Sequence, residues 1–323
     1  MKYTFYKKCN SEKLDNNLFM NPTAEYRGMP FWAWNTNLNE KELLRQIDCF
    51  KNMGFGGFYI HARTGLDTRY LGDEFMRLVS VCNEKAKKCE MIYGIYDEDR
   101  FSSGAAGGYT TIDNPVLRKR RVIFSTSIEP VTEKVEAILK GEDYLIAKYD
   151  IKLDENGKLE DYKKATDNTV KSGYKRIYAY CMCERPSGWR NNGTDIDSMN
   201  SDAINRFLDI TLSAYEKSVG KDFGKDIYTI FTDEPQTSIV MRLDSPFEES
   251  FRKSMQWTND LPETFFNTYG YDLLDYLPEL LYDLPNGEMS FARYDFYNHT
   301  TERFVSAFPD TYAKRCDEVG LLM

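Results

Sequence analysis

Three times within the first hundred residues, a short apolar run is followed by an amphipathic helical pattern. Residues 29–34 form the first predicted strand. Asn39 then caps a predicted helix, with Glu42 three residues on to complete a capping box. Leu43, Ile47, Phe50 and Met53 make one apolar stripe, which Gly54 closes. Residues 55–61 read as a second strand buried on both faces. A helix opening at Asp73 turns Phe75, Leu78, Val79 and Cys82 inward, and residues 91–96 form a third strand. Consecutive strands joined through helices must run parallel, because a parallel neighbour needs a long crossover. The order predicts an α/β fold of the (β/α)8 TIM-barrel type. In such folds the C-terminal strand ends carry the chemistry. Here those ends are Asn35, then His61-Ala62-Arg63, then Asp97-Glu98-Asp99-Arg100.

After residue 121 the pattern changes. Tyr144-Leu145-Ile146-Ala147-Lys148-Tyr149 and Arg176-Ile177-Tyr178-Ala179-Tyr180 favour strand, and Asp154-Glu155-Asn156-Gly157 is a hairpin-turn signal. Barrel periodicity then returns. Asn200 caps a helix with Ile204, Phe207, Leu208, Leu212 and Tyr215 on one face. Residues 227–231 form a strand ending in Thr232-Asp233-Glu234-Pro235. Helices follow near 273–282 and over 290–318, and Leu321-Leu322-Met323 begins another strand. The expected organisation is therefore residues 1–121 as the N-terminal part of the barrel, 122–184 as a β-rich insertion after its third strand, and 185–323 as a truncated continuation of an incomplete barrel.

The 323 residues are 41% apolar, enough for a large core, and 15% aromatic, an excess that composition alone does not divide between core packing and stacking on a ligand. The net charge of −9 argues against nucleic acid as a partner, since phosphate backbones need basic clusters. The only dense one, Arg118-Lys119-Arg120-Arg121, reads as a solvated turn or helix end. Seven scattered cysteines argue against a disulfide framework. Cys181 and Cys183 alternate along a strand and read as buried thiols. Residues 1–10 are polar and lack a signal-peptide core, and no run is long enough to span a membrane. The expectation is a cytoplasmic protein.

The strand-end residues bear the candidate chemistry. Crowded carboxylates raise one another's pKa and a nearby cation lowers it. Asp97-Glu98-Asp99 can therefore act as acid, as base or as ligands for a hard cation such as Ca²⁺, or can simply cap a helix or face solvent. The following Ser102-Ser103-Gly104-Ala105-Ala106-Gly107-Gly108 permits close backbone approach or a tight turn. Asp233-Glu234 ends a strand that Pro235 stops, a placement suited to a general acid in apolar surroundings and also to a capping pair. His61 and Arg63 sit at another strand end, where a substrate hydroxyl or a structural bond is the choice. Trp32, Trp34 and Trp189 lie near the same rim as sugar-stacking or packing residues.

Taken in order, Pro30-Phe31-Trp32-Ala33-Trp34-Asn35, Gly56-Gly57-Phe58-Tyr59-Ile60-His61-Ala62-Arg63 and Tyr96-Asp97-Glu98-Asp99-Arg100 with Ser103-Gly104-Ala105-Ala106-Gly107-Gly108 resemble glycoside hydrolase family 106, the α-L-rhamnosidase-like proteins. The likeness continues through Asp197-Ser198-Met199-Asn200, Ile230-Phe231-Thr232-Asp233-Glu234-Pro235 and Gly270-Tyr271-Asp272-Leu273-Leu274. It implies an inverting glycosidase that removes a terminal deoxy sugar by a two-carboxylate mechanism, with a calcium ion holding a carbohydrate substrate. Glu234 and Glu98 would be catalytic. His61, Arg63, Trp34, Asp97, Asp233 and Trp189 would bind substrate, and Asp97 and Glu98 the calcium.

Two departures stand against full membership. A His-Glu pair expected in the helix before the Asp-Glu strand is replaced by Thr211-Leu212-Ser213-Ala214-Tyr215. A Thr-Gly-His motif and a further Glu, expected after Gly320-Leu321-Leu322, do not occur in the sequence. The expectation is thus a partial barrel lacking one catalytic partner. Its open sheet edge would be covered by self-association or by a missing C-terminal half. A degenerate, non-catalytic sugar-binding relative is the alternative.

Overall fold

The structure is a computed structural model that describes residues 12–127, 130–237 and 252–323. Cys9 and the polar residues 1–10 lie outside these. The chain opens with α1 (Asn16–Met20), β1 (Phe31–Trp34), α2 (Glu40–Asn52), β2 (Gly57–Ala62), α3 (Asp73–Lys88) and β3 (Ile92–Tyr96). Asn39 caps α2, its side-chain oxygen accepting the Glu42 N–H at 3.1 Å. Glu42 does not complete the box, because its carboxylate pairs with Arg45. Asp73 opens α3 as its first residue, after Gly72 at the cap, which makes no side-chain bond.

The alternation then gives way to β4 (Arg120–Ser125), α4 (Lys134–Lys140), β5 (Tyr144–Leu153), β6 (Leu159–Lys164) and β7 (Lys175–Cys183). It resumes with α5 (Ser201–Val219) and β8 (Ile227–Phe231). After these come β9 (Arg252–Trp257), α6 (Leu261–Tyr269), α7 (Leu277–Leu281), α8 (Phe291–Ala307) and α9 (Pro309–Val319). The single long helix expected over 290–318 is divided at Phe308, since Pro309 has no N–H to continue the helical ladder.

These strands do not form a (β/α)8 barrel, and the barrel expectation is corrected accordingly. Among the described residues there are two separate sheets. One is parallel, in the order β1-β2-β3-β8, and the other antiparallel, in the order β6-β5-β7-β4-β9. The helical period and the strand period predict parallel neighbours, and these are present. Closure depends on how many strands join and with what stagger, which no local period encodes. Here β9 pairs with β4 instead of entering the parallel sheet. Leu322, following α9, pairs with β8: its N–H donates to the Tyr228 carbonyl at 2.8 Å, and Ile230 donates back at 2.9 Å.

Each sheet has its own core. Strand alternation sends Trp32 and Trp34 to the face where Ile47, Phe75, Leu78, Phe207, Leu212 and Tyr312 pack. Phe31, on the other face of β1, is 54% exposed. The antiparallel sheet buries Val122, Phe124, Tyr149, Ile177, Cys181 and Trp257 against Phe265, Leu277 and Phe296. The late helices α6, α7 and α8 thus contribute to this second core. Asp154 forms the β5–β6 turn by accepting the N–H groups of Asn156 and Lys158. All described cysteines are free thiols. No helix of the described residues is long and apolar enough to cross a membrane.

Candidate active site

The first thing the fold builds at the end of β3 is a cage. Glu98 is fully buried, and the chain after it wraps around its carboxylate. One oxygen accepts the N–H groups of Gly104, Ala105 and Ala106 at 3.0, 2.7 and 2.9 Å. The other accepts those of Gly107 at 2.5 Å and Asp99 at 2.9 Å. Small residues make this wrapping possible. Gly107 and Gly108 have φ of +65° and +98°, and a Cβ on Gly108 would overlap the Arg190 carbonyl oxygen. Burial pushes Glu98 up to about 7, while Arg190 and the amides of Gly107 and Asp99 pull it down. With five N–H groups aimed at two oxygens, the carboxylate is the form the loop is built around. The predicted catalytic role of Glu98 therefore meets a geometric obstacle, because no lone pair is left to face a substrate.

A second set of bonds joins the ends of β3 and β8. Asp97, also fully buried, accepts the Ser103 hydroxyl on one oxygen at 2.6 Å and the Tyr312 hydroxyl on the other at 2.8 Å. Burial pushes its carboxyl up to about 7, opposed by these two donors. Ser103 exchanges two bonds with Asp233: its Oγ accepts the Asp233 N–H at 2.8 Å, and its own N–H donates to the Asp233 carbonyl at 2.8 Å. Asp97 and Asp233, distant in sequence, are thereby brought together. The next residue, Glu234, is exposed, and its φ of +41° lies in the left-handed region that costs a non-glycine residue about 1–2 kcal/mol. Strain of this kind concentrates where a side chain must be presented.

Around these carboxylates the other predicted residues divide. His61 is buried and stacked on Tyr96, ring centroids 3.7 Å apart. Phe31 packs against His61 and Phe231, so the face of the sheet opposite the helices is aromatic. Arg63 is exposed just past β2. Trp189 is 49% exposed, with the Arg100 guanidinium over its ring and its indole N–H on the Phe101 carbonyl. Trp34 cannot stack on a sugar: it is 1% exposed and lies edge-on to Phe75 beneath α3. Its strand parity, and not its place near the rim, decides this. Trp34→Ala should destabilise the fold by about 3–5 kcal/mol, read as a lower urea midpoint.

Burial, with Arg63 nearby, lowers His61 to about 4. Between its ordinary value near 6.5 and this one, the unfolded chain takes up a proton that the folded chain refuses. The His61 contribution to stability is therefore present above pH 6.5 and is lost as pH falls toward 4. His61→Phe keeps an aromatic ring and removes the titration. Urea midpoints from pH 7 to pH 4 should fall more steeply for wild type than for this variant.

Several residues that hold the site were not singled out from sequence. Arg190 is buried, pairs with Asp195 at 2.6 Å, and donates to the carbonyls of Arg100 and Ser102. Asn191, at φ +48°, donates to Asp99 at 3.1 Å and to the Gly107 carbonyl at 2.9 Å. The Asn191-Asn192-Gly193 run is a recognisable turn signal. Tyr312 carries no such signal, since its partner Asp97 is 215 residues away.

Calcium does not fit Asp97 and Glu98 as they stand. The Glu98 oxygens already face five N–H hydrogens in the directions a cation would need, and Asp97 is fully buried with a hydroxyl donor on each oxygen. Among the described residues no group of three His, Cys, Asp or Glu side chains is arranged to hold a metal.

The fold and site define an α/β protein with an acid-bearing loop system at the C-terminal edge of a parallel sheet. No family model matches the chain, and no curated protein matches it. Among solved structures it is similar to the rhamnosidase from Novosphingobium sp. PP1Y, with a TM-score of 0.56 and 11% identity. The match covers 94% of this chain and 46% of that one, so the chain spans about half of that protein's length. At this identity the likeness is one of fold.

Proposed function

We propose that this chain is a glycoside hydrolase that removes a terminal deoxy sugar from a glycoside or polysaccharide, with Glu234 as a catalytic carboxylate. The observation that carries this reading is the exposed Glu234 side chain on a left-handed turn at the end of the last parallel strand. Asp233 beside it and the exposed Arg63 are polar groups suited to sugar hydroxyls. Trp189 and Phe31 offer aromatic faces for the apolar side of a pyranose. The fold shared with a rhamnosidase supports the same class of substrate. An inverting mechanism needs one carboxyl to protonate the leaving oxygen and another to activate water. With Glu98 caged and Asp97 enclosed, Asp233 is the remaining predicted carboxylate near Glu234. The test is release of nitrophenol from aryl α-L-rhamnosides and related deoxyglycosides by the wild-type chain. Turnover above the uncatalysed rate supports the reading, and none across the panel refutes it.

One observation favours a second reading. Of the carboxylates assigned to catalysis and metal binding, only Glu234 is exposed. A chain with one usable acid would bind sugar without cleaving it. Calorimetric binding of the same deoxyglycosides without turnover would select this alternative.

A further inference from the structure

The turn that presents Glu234 is pinned on both sides by serines from separate loops. On one side Ser103 holds the Asp233 N–H and carbonyl, each at 2.8 Å. On the other, the Ser198 hydroxyl donates to the Gln236 carbonyl at 3.0 Å. Neither serine stands alone. Ser103 gives its single hydroxyl proton to Asp97 at 2.6 Å, which leaves its lone pairs turned toward Asp233. Tyr312, on α9, occupies the other Asp97 oxygen at 2.8 Å and so leaves the aspartate one orientation. Next to Ser198, buried Asp197 accepts the Met199 N–H at 3.1 Å and the Thr258 hydroxyl at 2.6 Å, tying that loop to the end of β9.

We infer that Ser103 and Ser198 are positioning residues that hold Glu234 in its left-handed conformation, with Tyr312–Asp97 and Thr258–Asp197 as the struts that orient them. A left-handed glutamate relaxes toward ordinary backbone angles unless its flanks are held. Residues 233 and 236 are the flanks that these serines hold. The arrangement also gives the buried aspartates a purpose other than contact with substrate. Asp97 sits between α9 and the β3 loop, and Asp197 between the antiparallel sheet and the start of α5. Both sheets thus bear on one exposed carboxylate. Only the consequence for turnover rests on the glycosidase reading; the clamp itself does not.

Hydrogen exchange measured by mass spectrometry tests the clamp in the full chain. Wild type, Ser103→Ala, Ser198→Ala and Tyr312→Phe are compared on peptides within residues 227–237, with peptides from β5 as reference. In Ser103→Ala, exchange across the turn should rise about tenfold, the effect of losing one net hydrogen bond. Tyr312→Phe should give a smaller rise, and the β5 peptides should not change. Unchanged exchange at the turn, or an equal rise in every peptide, would overturn the inference. If Ser103→Ala fails to fold, Ser198→Ala decides it by the same criteria. With an active wild type, the alanine variants should lower kcat, taken per folded molecule from the unfolding curve at the assay temperature, and leave KM unaltered; a kcat equal to wild type on that basis would show only a loss of folded protein. A wild type inactive on every aryl glycoside defeats the glycosidase reading, while the exchange comparison still decides the clamp.

Discussion

Glu98→Ala is expected to lower the free energy of unfolding by roughly 3–5 kcal/mol, among the largest effects of any single substitution in this chain. The side chain is fully buried and receives five backbone N–H groups from residues 99 and 104–107. Alanine leaves those donors facing one another without an acceptor, and each buried orphan costs about 1–3 kcal/mol before relaxation. Relief of the buried carboxylate and local rearrangement offset part of that sum, although Gly107 and Gly108 hold left-handed angles and the Gly108 backbone lies against Arg190. Glu98→Gln should fall between, because one oxygen remains while the amide nitrogen presents hydrogens to hydrogens. Urea unfolding at constant slope measures both. This result also separates two roles for the residue. A caged structural carboxylate predicts lost stability, whereas a catalytic one predicts lost turnover at an unchanged midpoint.

Glu234 is expected to behave in the opposite way. Glu234→Gln should leave the urea midpoint within about 0.5 kcal/mol of wild type, as for an exposed side chain outside the core. Deoxyglycoside turnover should drop by about 10²–10⁴-fold, the usual contribution of a positioned acid or base. Glu234→Gly sharpens the test. It relieves the left-handed strain of about 1–2 kcal/mol, partly offset by the greater freedom of the unfolded chain. The fold is therefore not weakened while activity is lost. A stable backbone gain accompanied by loss of chemistry is the signature of strain kept for function. Equal turnover by wild type and Glu234→Gln would remove Glu234 from the mechanism.

The contrast between these two glutamates marks how far the site was legible in the sequence. Both sit directly after an aspartate at the end of a parallel strand, and strand periodicity located both. Sequence position could not show that one is wrapped by its own loop and the other turned outward. The small residues at 104–108 were a visible sign of close backbone approach, but what approached was Glu98 and not a ligand. Trp34 is a similar case. Its place near a strand end suggested a sugar platform, while the alternation of β1 turns it toward Phe75. The calcium expectation, drawn from family likeness, meets its obstacle at Glu98, whose two oxygens already accept five backbone N–H groups.

The sequence alone determined the local elements: the strands ending at Trp34, Tyr96 and Phe231 and, to within one residue, the one ending at Ala62, the Asn39 and Asn200 caps, and the hairpin at Asp154. Each follows from side-chain period, capping or turn chemistry acting within a few residues. Only the tertiary structure decided that, among the described residues, four parallel strands join in the order β1-β2-β3-β8, that β9 crosses to the antiparallel sheet, and that Tyr312 reaches Asp97. Those outcomes depend on which apolar faces bury each other across long stretches of chain. Such packing is settled by shape and by competition among all the elements at once, and no local pattern encodes it.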